Sequence, residues 1–284
     1  PYRCRVIFSA QCSAEIEAWL SSISIDTHIA KLDRQNDLLG FELSAQTAND
    51  VLMASFPTNI AAEIVLIQQP LARLNQPGLL VMDMDSTAIQ IECIDELAAM
   101  AGVGEEVAAV TASAMRGELD FEQSLRQRVS KLTGADASII QQLCDNLPLM
   151  SGLEVMLAEL KTHQWKLVVA SGGFTPFVGH LKTLLNLDAA FANELVIVDG
   201  KLSGEVTGEV VDAQYKANVI SLCAEQWAIP SGQRVAIGDG ANDIPMIQAA
   251  DLGLAFHAKP KLVAAADASI QNVDLRALVF CLQL

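Results

Sequence analysis

Leu79-Leu80-Val81-Met82-Asp83-Met84-Asp85-Ser86-Thr87 is the stretch on which the fold turns. Pro77 and Gly78 punctuate the chain before it, and a run of four apolar residues then ends abruptly in acid. Such a run between turn signals reads as a strand, here Leu79–Met82, with two carboxylates two residues apart just past its carboxyl end. Taken alone, an Asp-x-Asp is weak evidence, because aspartate is common in turns and at helix N-caps.

The same pattern recurs downstream. Lys166–Ala170 ends in Ser171, Arg234–Gly238 ends in Asp239, and Gly253–Phe256 is a fourth apolar run. Short apolar runs alternating with helical segments predict parallel strands joined by crossovers. In open parallel sheets the ligand crevice lies beyond the carboxyl ends of the strands, so Asp83, Ser171 and Asp239 are expected to converge there. Residues 83–165 separate the first two strands, far more than the dozen or so that a simple crossover needs. Helical periodicity over Ile94–Ala101, Glu105–Met115, Phe121–Leu132 and Ala137–Leu147, with Asp120 and Asp136 as N-caps, predicts a helical cap at about 90–150. Leu195–Val198 and Lys201–Val206, joined by Asp199-Gly200, read as a hairpin. Upstream, a strand at Cys4–Ala10, a helix at Ser13–Leu20, β-like runs at Ile25–Leu32 and Leu38–Leu43 and a helix from Ala48 suggest a small α+β unit. The expected architecture is therefore α/β: a Rossmann-like parallel sheet over 76–284 with the cap inserted after its first strand, preceded by the α+β unit at 1–75.

Composition narrows the function. The 284 residues carry 18 Lys plus Arg against 34 Asp plus Glu, a formal charge of −16. With no basic block, this balance argues against nucleic acid as a partner. Mean hydropathy is positive at +0.33, yet charged or polar residues interrupt every apolar run before the roughly 18 residues a membrane span needs, so no membrane partner is expected. Nothing near Pro1 reads as a secretory signal. Six scattered cysteines without CxxC spacing suggest buried thiols in a reducing compartment, the cytoplasm.

The strand ends carry the chemistry. Gly238-Asp239-Gly240-Ala241-Asn242-Asp243 adds two carboxylates to Asp83 and Asp85, and so many acids in one crevice call for a divalent cation. Oxygen-only ligands suit Mg²⁺. Ser171-Gly172-Gly173 offers a hydroxyl and amides for phosphate oxygens, although alone it reads as an ordinary turn. Lys216, ahead of the helix-like Ala217–Gln226, would bring positive charge to the crevice. This set suits hydrolysis of a phosphate monoester, a reaction that demands concentrated positive charge around the transferring group. An ionised Asp83 needs no base to attack phosphorus, and Asp85 could protonate the leaving alkoxide and then deprotonate water.

Asp83-x-Asp85-Ser86-Thr87, Ser171-Gly172, Lys216 and Gly238-Asp239-Gly240-x-Asn242-Asp243, in that order, resemble the four motifs of the haloacid dehalogenase superfamily. Ile91-Glu92 together with Met115, Phe121 and Arg128 in the cap extends the resemblance to its phosphoserine phosphatase branch, over residues 78–284. The resemblance implies Asp83 as nucleophile and Asp85 as acid/base. Asp83, Asp239 and the Asp85 backbone carbonyl would bind Mg²⁺, while Ser171, Gly172 and Lys216 would hold phosphate. It further implies that Asn242 and Asp243 support the site, that Glu92 and Arg128 receive the amino and carboxylate groups of O-phospho-L-serine, and that Met115 and Phe121 form an apolar lid. The residues alone also fit a helix-terminal acid at Glu92 and a solvated helix face at Arg128. A phosphatase of the same superfamily acting on another small metabolite, and a phospho-accepting signalling module, are the alternatives. Residues 1–75 loosely resemble ACT-like modules, which is compatible with amino-acid regulation, a homodimer or a structural cover.

Overall fold

The computed structural model describes residues 2–23 and 26–284. The N-terminal part runs β1 (Tyr2–Ser9), α1 (Ser13–Ser22), β2 (Thr27–Lys31), β3 (Leu38–Ala45), α2 (Asn49–Ser55) and β4 (Ala62–Leu66). Its antiparallel sheet has the order β2-β3-β1-β4, a ferredoxin-like β-α-β-β-α-β arrangement. All five expected elements have counterparts, the run expected at Ile25–Leu32 as β2. The start of the run expected at Ile25 lies outside the described residues, and the sequence reading missed β4.

The second sheet is built from β5 (Leu79–Met82), β6 (Lys166–Phe174), β7 (Ala189–Val198), β8 (Lys201–Thr207), β9 (Arg234–Gly238), β10 (Leu252–Phe256) and β11 (Ala268–Ile270). Its order is β11-β10-β9-β5-β6-β7-β8, parallel except for the β7–β8 hairpin. The chain leaves β5 toward β6 on one side and returns through β9 on the other. The switch point therefore falls at the carboxyl end of β5, where a ligand crevice is expected.

Four helices interrupt the sheet after β5: α3 (Cys93–Met100), α4 (Gly104–Met115), α5 (Phe121–Ser130) and α6 (Ser138–Cys144). All four match expected helices. Asp120 caps α5 through a complete capping box with Gln123. Asp136 sits two residues before α6 and accepts a bond from the Ser138 amide. The hairpin turn is formed by Asp199 (φ 50°) and Gly200 (φ 74°), the two left-handed residues that a tight hairpin requires. Backbone bonds from Gly134 to Leu202, Leu202 to Ala135 and Ala137 to Gly200 tie this hairpin to the cap.

α7 (Leu153–Thr162), α8 (Thr175–Leu185), α9 (Ala213–Gln226), α10 (Ile244–Ala249) and α11 (Pro260–Ala265) complete the crossovers. One difference matters for the site. The sequence places the end of β6 at Ala170, whereas the strand runs to Phe174 through an irregular register that pairs Phe174 with Asn193. Ser171-Gly172-Gly173 is thus a bulged strand end rather than a loop.

The two sheets share one hydrophobic core, in which Ile7, Leu38 and Val65 pack with Leu80, Met82 and Phe280. Polar clasps reinforce the contact. The Arg5 guanidinium donates to the Phe280 and Leu282 carbonyls, and the Arg34 guanidinium to those of Val279 and Leu282. Glu63 accepts from the amides of Gln271, Asn272 and Val273. A Cβ on Gly40 would lie 2.5 Å from the Phe280 ring, so only glycine permits this approach. All six cysteines are unpaired and buried.

Candidate active site

The ends of β5 and β9 supply the acids. The Asp83 amide donates to the Ile237 carbonyl (3.1 Å), extending the β5–β9 pairing by one residue and delivering the side chain to the crevice. Its Oδ1 accepts from the Met84 amide at 2.8 Å. The chain then makes one wide turn over Met84–Ala88, with Ser86 in the left-handed region at φ 57°. Within that turn the Thr87 hydroxyl reaches across to Asp239 Oδ1 (3.1 Å), and Asp85 Oδ1 accepts from the Cys93 amide (3.3 Å).

Lys216 lies in the first turn of α9, which Asp212 caps by accepting from the Tyr215 amide. Its side chain is buried, and Nζ donates to Asp83 Oδ1 (3.1 Å) and Asp243 Oδ1 (3.0 Å). The other oxygen of Asp243 accepts from the amides of Asp239 (3.1 Å) and Gly240 (3.3 Å). Asp243 is therefore fully engaged, fixing both the lysine and the acidic loop. Gly238 makes room for it, since a Cβ there would lie 2.4 Å from Asp243 Oδ2.

Burial dominates the electrostatics. It pushes Asp83 up to about 6, against the pull of Lys216. Burial, with the neighbouring Asp243 charge, raises Asp239 to about 6, and burial with Asp83 raises Asp243 to about 7. Asp85 rises well above the carboxylate range through burial and the Glu92 and Asp83 charges. For Lys216 burial alone would lower the ammonium, but Asp243 and Asp83 outweigh it, and the group stays charged. The crevice therefore resists full ionisation of its acids unless further positive charge enters.

The residues fit a divalent cation. One carboxylate oxygen from each of Asp83, Asp239 and Asp243 lies within 4.8 Å of the others, an oxygen-only set of the kind hard cations take. Because Asp243 is committed to Lys216 and two amides, Asp83 and Asp239 are the carboxylates better suited to an ion.

A cavity of about 220 Å³ opens over these groups. Of the residues singled out from the sequence, Asp83, Asp85, Glu92, Phe121, Arg128, Gly172, Lys216, Asp239 and Asn242 line it. Three do not. Asp243 lies beneath it, and Ser171 is buried beside it with Oγ accepting from the Gly173 amide (2.9 Å). Met115 ends α4 outside the cavity and is 72% exposed. From the cap, Phe121 rests against Gly172, where a Cβ would meet its ring at 2.7 Å.

Sequence reasoning missed three contributors. Lys259 lines the cavity, and its amide donates to the Asp239 carbonyl (3.2 Å). Its position just after β10 was the available signal, by the strand-end rule that found the others. Thr87, within the first motif, ties that turn to Asp239 through its hydroxyl. Buried Asn193 on β7 donates to the Gly172 carbonyl (2.9 Å) and accepts from the Val211 amide (2.8 Å), fixing the bulged end of β6. Nothing local in the sequence marks it.

A parallel sheet with acids at adjacent strand ends, a buried lysine and an inserted helical cap defines a class of phosphoryl-transfer hydrolase. The model of haloacid dehalogenase-like hydrolases matches residues 78–251, and the chain belongs to that family. Among its relatives, a phosphoserine phosphatase of Haemophilus influenzae is 59% identical over 207 residues, 73% of this chain and 66% of its own length. The chain thus spans just under two thirds of that relative. The unliganded crystal structure of a probable phosphoserine phosphatase from Vibrio cholerae is similar at a TM-score of 0.85 and 43% identity, covering 99% of this chain and 86% of that one. A substrate-bound phosphoserine phosphatase complex gives a TM-score of 0.69 at 41% identity, over 73% of this chain and 99% of the other. Among the described residues no helix is long and apolar enough to cross a membrane.

Proposed function

We propose that this chain hydrolyses O-phospho-L-serine to L-serine and phosphate, the last step of serine synthesis, through an aspartyl-phosphate intermediate on Asp83. The observation that carries the reading is the bonding of Lys216 to both Asp83 and Asp243 beneath a cavity that also holds Glu92 and Arg128. A free phosphoamino acid presents a phosphate, an ammonium and a carboxylate, and this cavity pairs a phosphate cradle with one anion and one fork-shaped cation. Similarity to phosphoserine phosphatases, one of them solved with substrate bound, supports the same assignment.

In this reading Asp83 attacks phosphorus and the alkoxide leaves, taking a proton from Asp85. The raised pKa of Asp85 suits a group that must be protonated at that moment, and afterwards it takes a proton from the water that attacks the phosphoenzyme. Lys216, the Ser171 hydroxyl, whose oxygen already accepts from the Gly173 amide, and Gly172 receive the phosphoryl oxygens. Asp243 holds Lys216 in place, and Asn242 lines the phosphate end. Asp83, Asp239 and the Asp85 carbonyl would hold Mg²⁺, which when bound supplies charge neutralisation for the transferring group. Arg128 meets the substrate carboxylate. Burial lowers its pKa, but a guanidinium stays charged, and Asp95, Glu92 and Asp85 favour that charge. Phe121 excludes water from above.

Residues 1–75 form the α+β unit and 76–284 the catalytic unit, with the cap at about 90–150. Six buried free thiols suit a reducing cytoplasmic setting. Phosphate release from a panel of O-phospho-L-serine, O-phosphothreonine and sugar phosphates, with Mg²⁺ and with chelator, tests the assignment. Phosphoserine should be preferred and chelator should stop turnover. Equal rates across the panel would favour the broader phosphatase, and a phosphoenzyme lasting minutes without released phosphate would favour a signalling module.

A further inference from the structure

Glu92 is the N-cap residue of α3, yet its side chain caps nothing in that helix. Its Oε1 instead accepts a hydrogen bond from the Ser86 hydroxyl at 2.8 Å. The backbone closes the same loop, because the Ser86 amide donates to the Ile91 carbonyl at 3.1 Å. Ser86 thus holds the segment 86–92 twice, once through its amide and once through its side chain.

The conformation of Ser86 makes the side chain informative. At φ 57° and ψ 11° the residue sits in the left-handed region, which glycine enters freely and a residue with a Cβ enters at a cost. The backbone turn alone would be better served by glycine. What serine adds is a hydroxyl, directed at the one acid that lines the cavity from the cap side next to Arg128.

We propose that Ser86 is a positioning residue for substrate selection: its hydroxyl latches the Glu92 carboxylate where the ammonium of an amino-acid phosphate meets it. This rests on the reading of Glu92 as the ammonium site. A glutamate on a surface turn has several free torsions, and ordering them at the moment of binding weakens the contact that results. The latch removes part of that ordering and leaves Glu92 Oε2 for the ligand. It links the strand end carrying the nucleophile to the first residue of the cap, so selection and chemistry share one rigid turn.

Ser86→Gly is the sharp probe, because glycine accepts the observed backbone and keeps the amide bond to Ile91 while deleting the hydroxyl. The quantity read is the ratio of kcat/KM for O-phospho-L-serine to that for phosphoglycolate, which carries phosphate and carboxylate but no amine. General damage to the nucleophile turn cancels in this ratio. Loss of one hydrogen bond to a charged group predicts a fall in the ratio of about tenfold, seen mainly in KM for phosphoserine. Glu92→Gln should lower the ratio further, and adding Ser86→Gly to it should change nothing more. An unchanged ratio in Ser86→Gly, or equal losses on both substrates, while Glu92→Gln still lowers it, would overturn the latch and leave the Glu92 reading standing. An unchanged ratio in Glu92→Gln would overturn that reading and the latch with it.

Discussion

Replacing Lys216 by methionine removes a cation bonded to two buried acids and leaves a side chain of similar length in its place. Nζ lies 3.1 Å from Asp83 Oδ1 and 3.0 Å from Asp243 Oδ1, and its side chain is 1% exposed. Breaking a buried ion pair from one side costs about 3–5 kcal/mol, because the abandoned charge stays in a poorly solvated place. For a chain of 284 residues this corresponds to a drop in Tm on the order of 10 °C. The size must depend on pH. Asp83 sits near about 6 and Asp243 near about 7 even with Lys216 present, both above ordinary carboxylate values, and both rise further without it. A carboxyl whose folded pKa is raised binds protons more tightly in the native state, so its contribution is whole below pH 4 and is lost as pH climbs through the folded value. Lys216→Met should therefore cost little at pH 5, where the orphaned acids can protonate, and most at pH 8, where they cannot. Thermal melts of both proteins in chelator across pH 5–8 would measure the difference. A loss of stability that is constant with pH, or absent at pH 8, would refute the electrostatic account of this lysine.

Other outcomes follow from the same geometry. Adding Mg²⁺ should raise Tm more at pH 8 than at pH 5, because protons compete for Asp83 and Asp239, both raised to about 6; an equal rise at both pH values would contradict this. Arg128→Ala should increase KM for phosphoserine by tenfold or more while changing little for an ester without a carboxylate, as initial rates on the two substrates will show. Gly238→Ala should destabilise the protein by about 1–3 kcal/mol in denaturant melts, since its Cβ would press within 2.4 Å of a fixed carboxylate.

Much of this was legible in the sequence because the physics is local. The apolar tetrad Leu79–Met82 followed by acid marks a buried strand and its functional end together, and the same reasoning located Arg234–Gly238 and Gly253–Phe256. The cap helices were visible through their periodicity and the Asp120 cap. What escaped depends on contacts distant in the chain. β4 gains its strand character by pairing with β1, and the extension of β6 to Phe174 depends on Asn193. Lys259 approaches the site through the Asp239 carbonyl, twenty residues earlier in the chain, and Asn193 through the Gly172 carbonyl. Met115 shows the opposite limit. The resemblance implies a lid role for it, while the fold leaves it exposed at the end of α4, outside the cavity.

The central claim is that the sheet gathers distant side chains around one carboxylate that receives phosphate. The most direct test is to quench the enzyme in acid during turnover of O-phospho-L-serine with Mg²⁺ and to locate the covalently bound phosphate by peptide mass spectrometry. The account predicts a phosphorylated Asp83 in the wild-type protein and no label in Asp83→Asn. Phosphate on another residue, or steady turnover by Asp83→Asn, would contradict it.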